Sequence, residues 1–216
     1  AVAYAATNGT TTSGLTNISN QDPDVAITVS DEPTVLQLVT INAATSGTIT
    51  LSDIDGASSD TAANLVLAFA GDVTEHTGTV TITDQPTLAE LVTINAETTG
   101  AITLNVTAGA LSGAVADILL AFAGTVTAYA GAITVTDAVT VAQFNIIDAA
   151  TSADVILTGG VSDAAVAYAA TDGTTTSGLT NISNQDPDVA ITVSDEPTVL
   201  QLVTINNATT GAITLS

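Results

Sequence analysis

Residues 1–52 read AVAYAATNGTTTSGLTNISNQDPDVAITVSDEPTVLQLVTINAATSGTITLS, and nearly the same text returns at residues 165–216. The two copies lie 164 residues apart and differ at four positions. Identity at this level indicates recent duplication, and long internal repeats are typical of proteins built as arrays. We therefore expect the chain to be an excerpt of a longer tandem array.

A shorter repeat lies inside this block, and an aspartate after a β-like run marks the start of each of its units. The aspartates are 53, 53 and 58 residues apart and are Asp31, Asp84, Asp137 and Asp195. The third unit carries the Thr/Ser/Asn-rich insertion, and residues 1–30 resemble the end of a preceding unit. The predicted units are residues 31–83, 84–136, 137–194 and the start of a fourth at 195–216.

Each unit divides into two halves, which we call coils, and each coil reads as a strand followed by a helix. The strand signals are alternating apolar pairs at Ile27 and Val29, Ile49 and Leu51, Val80 and Ile82, Ile102 and Leu104, and Ile133 and Val135. Helical spacing of apolar residues follows at residues 33–42, 60–71, 86–95, 115–124 and 163–170. Asp or Ser before these segments and Gly after them are the expected helix start and stop signals.

These coils predict an α/β repeat solenoid, with eight parallel strands stacked in one sheet and the helices on its outer face. The alternative is an all-β solenoid, because Thr-rich runs such as TVTIT favour strand. The Ala-rich segment DTAANLVLAFAG argues for helix.

The composition excludes several functional classes. The chain has no Lys or Arg and 22 Asp plus Glu, so it lacks the basic side chains that neutralise nucleic-acid phosphates. Its carboxylates must be solvated, bonded to backbone N–H groups or paired with cations, which favours a saline extracellular setting. Cysteine is absent, so neither disulfides nor thiolate metal sites hold the fold.

The most apolar stretch, residues 108–131, is interrupted by Asp117 and by several Gly and Thr residues. We therefore expect it to be buried in protein, and we expect no transmembrane segment. By contrast, residues 7–24 and their copy at 171–188 are polar and lack periodicity, which predicts a surface loop. This loop is the best candidate for lateral contacts or ion binding.

Two texts carry a family resemblance: TDQPTLAELVTINAETTGAITL at residues 83–104 and SSDTAANLVLAFAG at residues 58–71. They resemble the "TVAQL…INAATTG…DTAANL" repeats of giant bacterial surface proteins of cyanobacterial and proteobacterial type. The resemblance implies a large, secreted or surface-displayed repetitive protein with a structural or adhesive role, and it supplies no catalytic residues. The glycine-rich calcium nonapeptide that often accompanies such repeats is missing here.

Two groups of carboxylates are candidate calcium ligands. Asp53, Asp55 and Asp60 lie in SDIDGASSD, where short spacing and a glycine resemble a calcium loop, although the glutamate of an EF-hand is absent. The second group, in the repeated text NQDPD, comprises Asp22 and Asp24 and their copies Asp186 and Asp188. The alternative for the first group is a turn in which Asp60 caps a helix, and for the second a solvated acidic turn.

Other polar positions have structural explanations. The repeat-marking aspartates are expected to accept N–H bonds at helix N-termini, and the residues that end the helices to cap them or bond between coils. These helix-ending residues are Asn42, Asn95, Asn206 and the deviant Asp148. His76 is the only histidine, so it lacks partners for a metal set and is expected in a loop.

The sequence thus predicts no enzyme, because His76 is the only ordinary general base that could activate a nucleophile. Thr-x-Thr texts such as Thr79-Val-Thr81 raise an ice-binding hypothesis, but the threonines do not visibly persist from coil to coil. We expect a structural region of an extracellular fibre, sheath, surface layer or adhesin stalk, with copies of itself, divalent cations or surface glycans as partners. The alternative is a module that binds glycans or ice on a repetitive scaffold.

Overall fold

The structure is a computed structural model that describes residue 1 and residues 3–216. Its helices are α1 Ser13–Gln21, α2 Val35–Ala44, α3 Ala62–Phe69, α4 Leu88–Ala96, α5 Val115–Ala121, α6 Val141–Ala150, α7 Ala165–Tyr168, α8 Ser177–Gln185 and α9 Val199–Ala208. Its strands are β1 Ile27–Val29, β2 Ile49–Leu51, β3 Ser58–Asp60, β4 Val80–Ile82, β5 Ile102–Leu104, β6 Leu111–Gly113, β7 Ile133–Val135, β8 Val155–Leu157, β9 Val161–Asp163, β10 Ile191–Val193 and β11 Ile213–Leu215.

The described residues form both helices and strands, so the mixed α/β architecture is confirmed and the all-β alternative is wrong. All pairs of neighbouring strands are parallel. The strands form small sheets in the orders β1-β2, β3-β4-β5, β6-β7-β8 and β9-β10-β11. The expected single sheet is therefore wrong for the described residues, which also contain no closed barrel.

Three strands, β3, β6 and β9, were not expected from the sequence. Their sequences, SSD, LSG and VSD, lack the apolar pair that marks the other strands. Each follows the preceding strand after only three to six residues, too few for the long crossover that joins adjacent parallel strands. Each of the three therefore begins a new sheet.

Threonines, and not the expected Asp or Ser, cap most of the helices. Thr34 accepts a hydrogen bond from the Gln37 amide at 3.2 Å, and the Gln37 side chain accepts one from the Thr34 amide at 2.9 Å. This reciprocal capping box recurs at α4, α6 and α9. The stop signals agree better: Gly71 and Gly124 follow α3 and α5 closely with φ of 76° and 70°, a conformation that favours glycine.

The segments expected to be surface loops each contain a nine-residue helix, α1 or α8. That expectation was wrong because Ser, Thr, Asn and Gly have weak helix propensity and dilute the apolar pattern. The remaining signal is the pair Leu179 and Ile182, three residues apart and fully buried on one side of α8. Thr176 caps this helix by accepting from the Leu179 amide.

The chain forms two compact units, Ala1–Val106 with Ala123–Thr127, and Thr107–Phe122 with Ala128–Ser216. In the first, α3 packs on α2, and inward side chains such as Ile49, Leu65 and Ile82 are buried. In the second, α8 packs on α6, and Phe144 of α6 and Ile182 of α8 are buried. Among the described residues no helix exceeds ten residues, and none has the length and hydropathy to cross a membrane.

Candidate functional site

The repeat-marking aspartates bind the helix of the coil before them. Asp84 Oδ1 accepts from the Ala62 amide at 2.8 Å, and Asp137 Oδ1 from the Val115 amide at 2.7 Å. Both amides belong to the first residue of a helix, 22 residues earlier in the chain. The expected N–H acceptance at helix N-termini is confirmed, but each helix is the preceding one, not the following one.

The same contact recurs in the two copies of the long repeat. Asp195 Oδ1 accepts from the Ala165 amide at 2.6 Å, 30 residues earlier, where α8 lengthens the connection. Asp31 accepts from the nitrogen of Ala1, the equivalent position in the other copy. These aspartates therefore join consecutive coils.

The residues near the helix ends bond in the opposite direction, to the coil that follows. The Asn42 amide donates to the Leu67 carbonyl at 2.9 Å and the Ala70 carbonyl at 2.7 Å, at the end of α3. The Asn95 amide donates to the Ala123 carbonyl at 3.1 Å. Asp148 instead accepts from the Gln185 side chain at 2.8 Å, which links α6 to α8.

The first predicted calcium group is only partly gathered. The carboxyl groups of Asp53 and Asp55 lie within hydrogen-bonding reach, and this contact raises the pKa of Asp53. Asp60 is engaged elsewhere, because its Oδ1 accepts from the Thr61 amide at 2.8 Å and the Asn64 side chain at 2.9 Å. Asp60 therefore supports the start of α3, which matches the alternative explanation.

The second group differs between its two copies. In the first copy Asp22 is exposed, and its hydrogen bond with Asp24 raises the pKa of Asp22. In the second copy Asp186 Oδ2 accepts from the Leu157 amide at 2.9 Å. Burial is the main cause that raises the pKa of Asp186, and the nearby carboxyl group of Asp188 raises it further. Two facing carboxylates in a chain without Lys or Arg repel each other unless a proton or a cation lies between them.

No three His, Asp or Glu side chains within residues 1 and 3–216 are grouped so that they could hold a metal ion. Calcium binding at the two carboxylate groups therefore stays a prediction.

The residues at the end of α8 bind the edge of β8. Gln185 Oε1 accepts from the Val155 amide at 3.2 Å beside the Asp186 contact, so two side chains occupy the edge of β8.

His76 lies between α3 and β4, outside the named helices and strands as expected, but it is buried. Only 4% of its surface is exposed, its ring stacks on Phe69 with centroids 5.4 Å apart, and its backbone bridges Thr98. Its Nε2 has no hydrogen-bond partner among the described residues. Burial lowers the pKa of His76, against the opposing charges of Glu32 and Asp53, which line the same small cavity.

Hydroxyl groups recur on the outward side of the strands, contrary to the expectation that threonines do not persist. We call these sets the hydroxyl rows. Cα partners in register are Thr28 with Thr50, Ser59 with Thr81 and Thr103, Ser112 with Thr134, and Ser162 with Thr192 and Thr214. Within residues 1 and 3–216 the structure records no hydrogen bond from these hydroxyls. Ile156 interrupts the row beside Thr134.

The sequence alone does not reveal the rows, because only the parallel strand register brings residues 22 positions apart side by side. The signal available was the recurring triplet ITV or ITL, whose central threonine lies between two inward apolar residues. A search for relatives gives no further guide: no protein-family model, no curated protein and no solved structure matches this chain.

Proposed function

We propose that this chain is a non-catalytic structural repeat region of an extracellular fibre, sheath, surface layer or adhesin stalk, built as an α/β solenoid of stacked coils. In this proposal the stacked coils form the structural element, and they associate with further copies of the repeat. A solenoid of this kind buries each coil only against its neighbours.

One observation carries the proposal: the contacts between consecutive coils repeat. The Asp84–Ala62 and Asp137–Val115 bonds are the same contact 53 residues apart, and Asn42 and Asn95 each donate to the end of the next helix. Paired strands keep a 22-residue register in six of the seven pairs. Such contacts can be repeated without limit, which suits an extended structural element.

The composition supports an extracellular setting. A net charge of −22 with no basic side chain causes strong self-repulsion, which salt or divalent cations screen. The absence of Lys and Arg also removes every trypsin cleavage site, which suits a protein exposed to proteases. The resemblance to repeats of giant bacterial surface proteins agrees with this setting.

Electron microscopy of native material, and of a recombinant chain of three tandem 164-residue blocks, tests the proposal. We expect filaments with an axial repeat that matches one block, on the order of 30 Å at about 4.8 Å per stacked strand. Globular particles without an axial repeat would contradict a structural array.

Calcium dependence is tested separately, by adding a chelator at low salt. If cations bridge the pairs Asp53–Asp55 and Asp22–Asp24, the chelator lowers the melting temperature and loosens assemblies. An unchanged melting temperature and unchanged morphology would remove calcium from the proposal and leave the structural role in place.

The hydroxyl rows favour a second candidate, a binding module for ice or surface glycans. Hydroxyls on paired strands are about 4.8 Å apart, and this regular spacing suits an ordered array of water or sugar hydroxyls. Replacing Thr50, Thr81 and Thr103 by Val keeps the strand shape and removes the hydroxyls. Thermal hysteresis or glycan-array binding that is present in the parent chain and lost in this variant supports the second candidate, and no binding by the parent chain rejects it.

A further inference from the structure

The two copies of the long repeat differ in what covers them. Val35 and Leu51 of the first copy are 6% and 5% exposed, whereas their counterparts Val199 and Leu215 are 80% and 54% exposed. We call the exposed surface the α9–β11 face. It is a groove lined by Val199, Leu202, Val203, Asn206, Ile213 and Leu215.

The first copy shows what fits on this face. There α3 packs on α2, and Phe69 lines one small cavity with Leu38 and Leu51, the counterparts of Leu202 and Leu215. The Asn42 side chain holds the end of α3. The side-chain anchor of the covering segment is therefore the phenylalanine near the end of its helix.

Backbone bonds fix the register of the covering segment. The Ile49 amide donates to the Asp72 carbonyl at 2.8 Å, and the Thr74 amide donates to the Ile49 carbonyl at 3.0 Å. The Leu51 amide donates to the Thr74 hydroxyl at 3.2 Å. Ile213 and Leu215 are the equivalents of Ile49 and Leu51 on the exposed face.

The same bonds appear a second time, at β5. The Ile102 amide donates to the Thr125 carbonyl at 2.8 Å, and the Thr127 amide donates to the Ile102 carbonyl at 2.9 Å. The Leu104 amide donates to the Thr127 hydroxyl at 3.2 Å. The two covering segments share the sequence Ala-Phe-Ala-Gly-x-Val-Thr, at residues 68–74 and 121–127.

We propose that the α9–β11 face is a docking surface for a helix-ending segment of sequence Ala-Phe-Ala-Gly-x-Val-Thr with threonine at x. The first part of this inference rests on the proposed stacking function, because it names the partner that each exposed coil accepts. The second part, the identity of x, comes from a separate comparison of side chains.

Residue x faces one side chain of the receiving coil. In the first copy x is Asp72, whose carboxylate accepts from the Thr48 hydroxyl at 2.5 Å. At β5 the position of Thr48 is taken by Ala101, and x is Thr125. The exposed face carries Ala212 at this position, so an aspartate there would lose its hydroxyl partner.

The wider sequence agrees with the threonine form. Residues 209–215 read TTGAITL, identical to residues 98–104, which receive the Thr125 segment. Residues 53–76 also carry five carboxylates, whereas residues 106–129 carry only Asp117. A segment with fewer carboxylates is repelled less by a receiving chain with a net charge of −22.

The test extends the full chain directly after Ser216, either with residues 106–129 or with residues 53–76. A third variant carries the 106–129 extension with Phe122→Asp, which removes the anchor. Amide hydrogen exchange at Ile213 and Leu215 is compared with that of the unextended chain. We expect the 106–129 extension to slow exchange at least 10-fold, the 53–76 extension to slow it less, and the Phe122→Asp extension to leave it unchanged.

Three results would overturn the inference. Unchanged exchange with both extensions removes the docking surface. Equal protection by both extensions removes the preference for the segment that has threonine at x and fewer carboxylates. Protection that survives Phe122→Asp shows non-specific burial by any appended segment.

The filament test remains independent of these outcomes. An axial repeat in native material without protection by either extension rejects the docking surface and leaves the structural function standing. Protection without any filament supports the docking surface and rejects the structural function.

Discussion

The coil that contains His76 and the coil that contains Tyr129 place different rings at one position of the repeat. Tyr129 is fully buried, its ring lies edge-on to Phe122, and its hydroxyl donates to the Gly109 carbonyl at 2.6 Å. His76 is also buried against a phenylalanine, but its Nε2 has no partner among the described residues. The shorter ring does not provide the bond that tyrosine makes.

The positions near His76 are also more acidic than their equivalents 53 residues further on. Glu32, Asp53 and Asp55 correspond to Gln85, Val106 and Ala108. His76 and these three carboxylates are thus four titratable groups, where the equivalent positions carry only a tyrosine. Repeats that share a backbone can therefore differ in stability and in response to pH through a few side chains.

The largest effect is expected from Tyr129→His, which makes the second coil resemble the first. Loss of the hydroxyl bond to Gly109 and of ring packing should lower the free energy of unfolding by about 2–3 kcal/mol. Urea unfolding followed by circular dichroism measures this. Tyr129→Phe is the matched control, because it keeps the ring and removes only the bond, at a cost of about 1 kcal/mol.

A second prediction concerns what the two coils share. Asp84→Ala and Asp137→Ala should each lower the free energy of unfolding by about 1–2 kcal/mol, because each leaves the first amide of a helix without its acceptor. Equal losses would show that the contact is equivalent in both coils, and clearly unequal losses would contradict this. Glu75→Ala, at an exposed carboxylate in the same chain, controls for the removal of one negative charge.

The reverse exchange, His76→Tyr, should raise the free energy of unfolding by about 1 kcal/mol, because a tyrosine hydroxyl there can reach the Gly56 carbonyl as Tyr129 reaches Gly109. The same urea titration reports the gain. A loss of stability would instead show that the Glu32 side chain, which lies against Gly56, leaves no room for the larger ring.

The smallest effect is the pH dependence that His76 adds. Burial holds the pKa of folded His76 below its ordinary value of 6.5, so the unfolded chain binds the proton first. The stabilising contribution of neutral His76 is complete above pH 6.5 and is lost as the pH falls through the folded-state pKa. Unfolding titrations from pH 7.5 to 5 should show this loss in the parent chain and not in His76→Tyr.

The carboxyl pairs act in the opposite direction, because the raised pKa values of Asp22, Asp53 and Asp186 favour protonation of the folded chain. They are present in both proteins, so the difference between the parent chain and His76→Tyr isolates the histidine. Identical pH profiles would mean that His76 is not the titrating group.

Much of the local structure could be predicted from the chain alone. The pairs Ile27/Val29 and Ile49/Leu51 mark strands because a half-buried strand needs apolar residues two positions apart. Four of the described helices, α2, α4, α6 and α9, begin at a Thr-x-x-Gln or Thr-x-x-Glu box, a local signal that the expected Asp or Ser start did not include. The aspartates of the repeat were expected to accept helix N–H groups. Asp84 and Asp137 do so, each from an amide 22 residues earlier in the chain.

The candidate site was less predictable. His76 has no sequence pattern of its own, and its burial depends on Phe69 and on Glu32, 44 residues away. The hydroxyl rows need the strand register, and the helix α8 depends on burial of Leu179 and Ile182 in the second unit. Each of these features comes from contacts between distant segments.

The sequence by itself therefore determined a mixed α/β fold of short strands and helices with parallel pairing, because periodicity and spacing are local properties of each repeat. Only the tertiary structure decided that β3, β6 and β9 begin separate sheets, which helix each aspartate binds, and that His76 is enclosed. Those outcomes depend on which segments are neighbours in space. Burial and hydrogen bonding between segments 22 or more residues apart determine these neighbours.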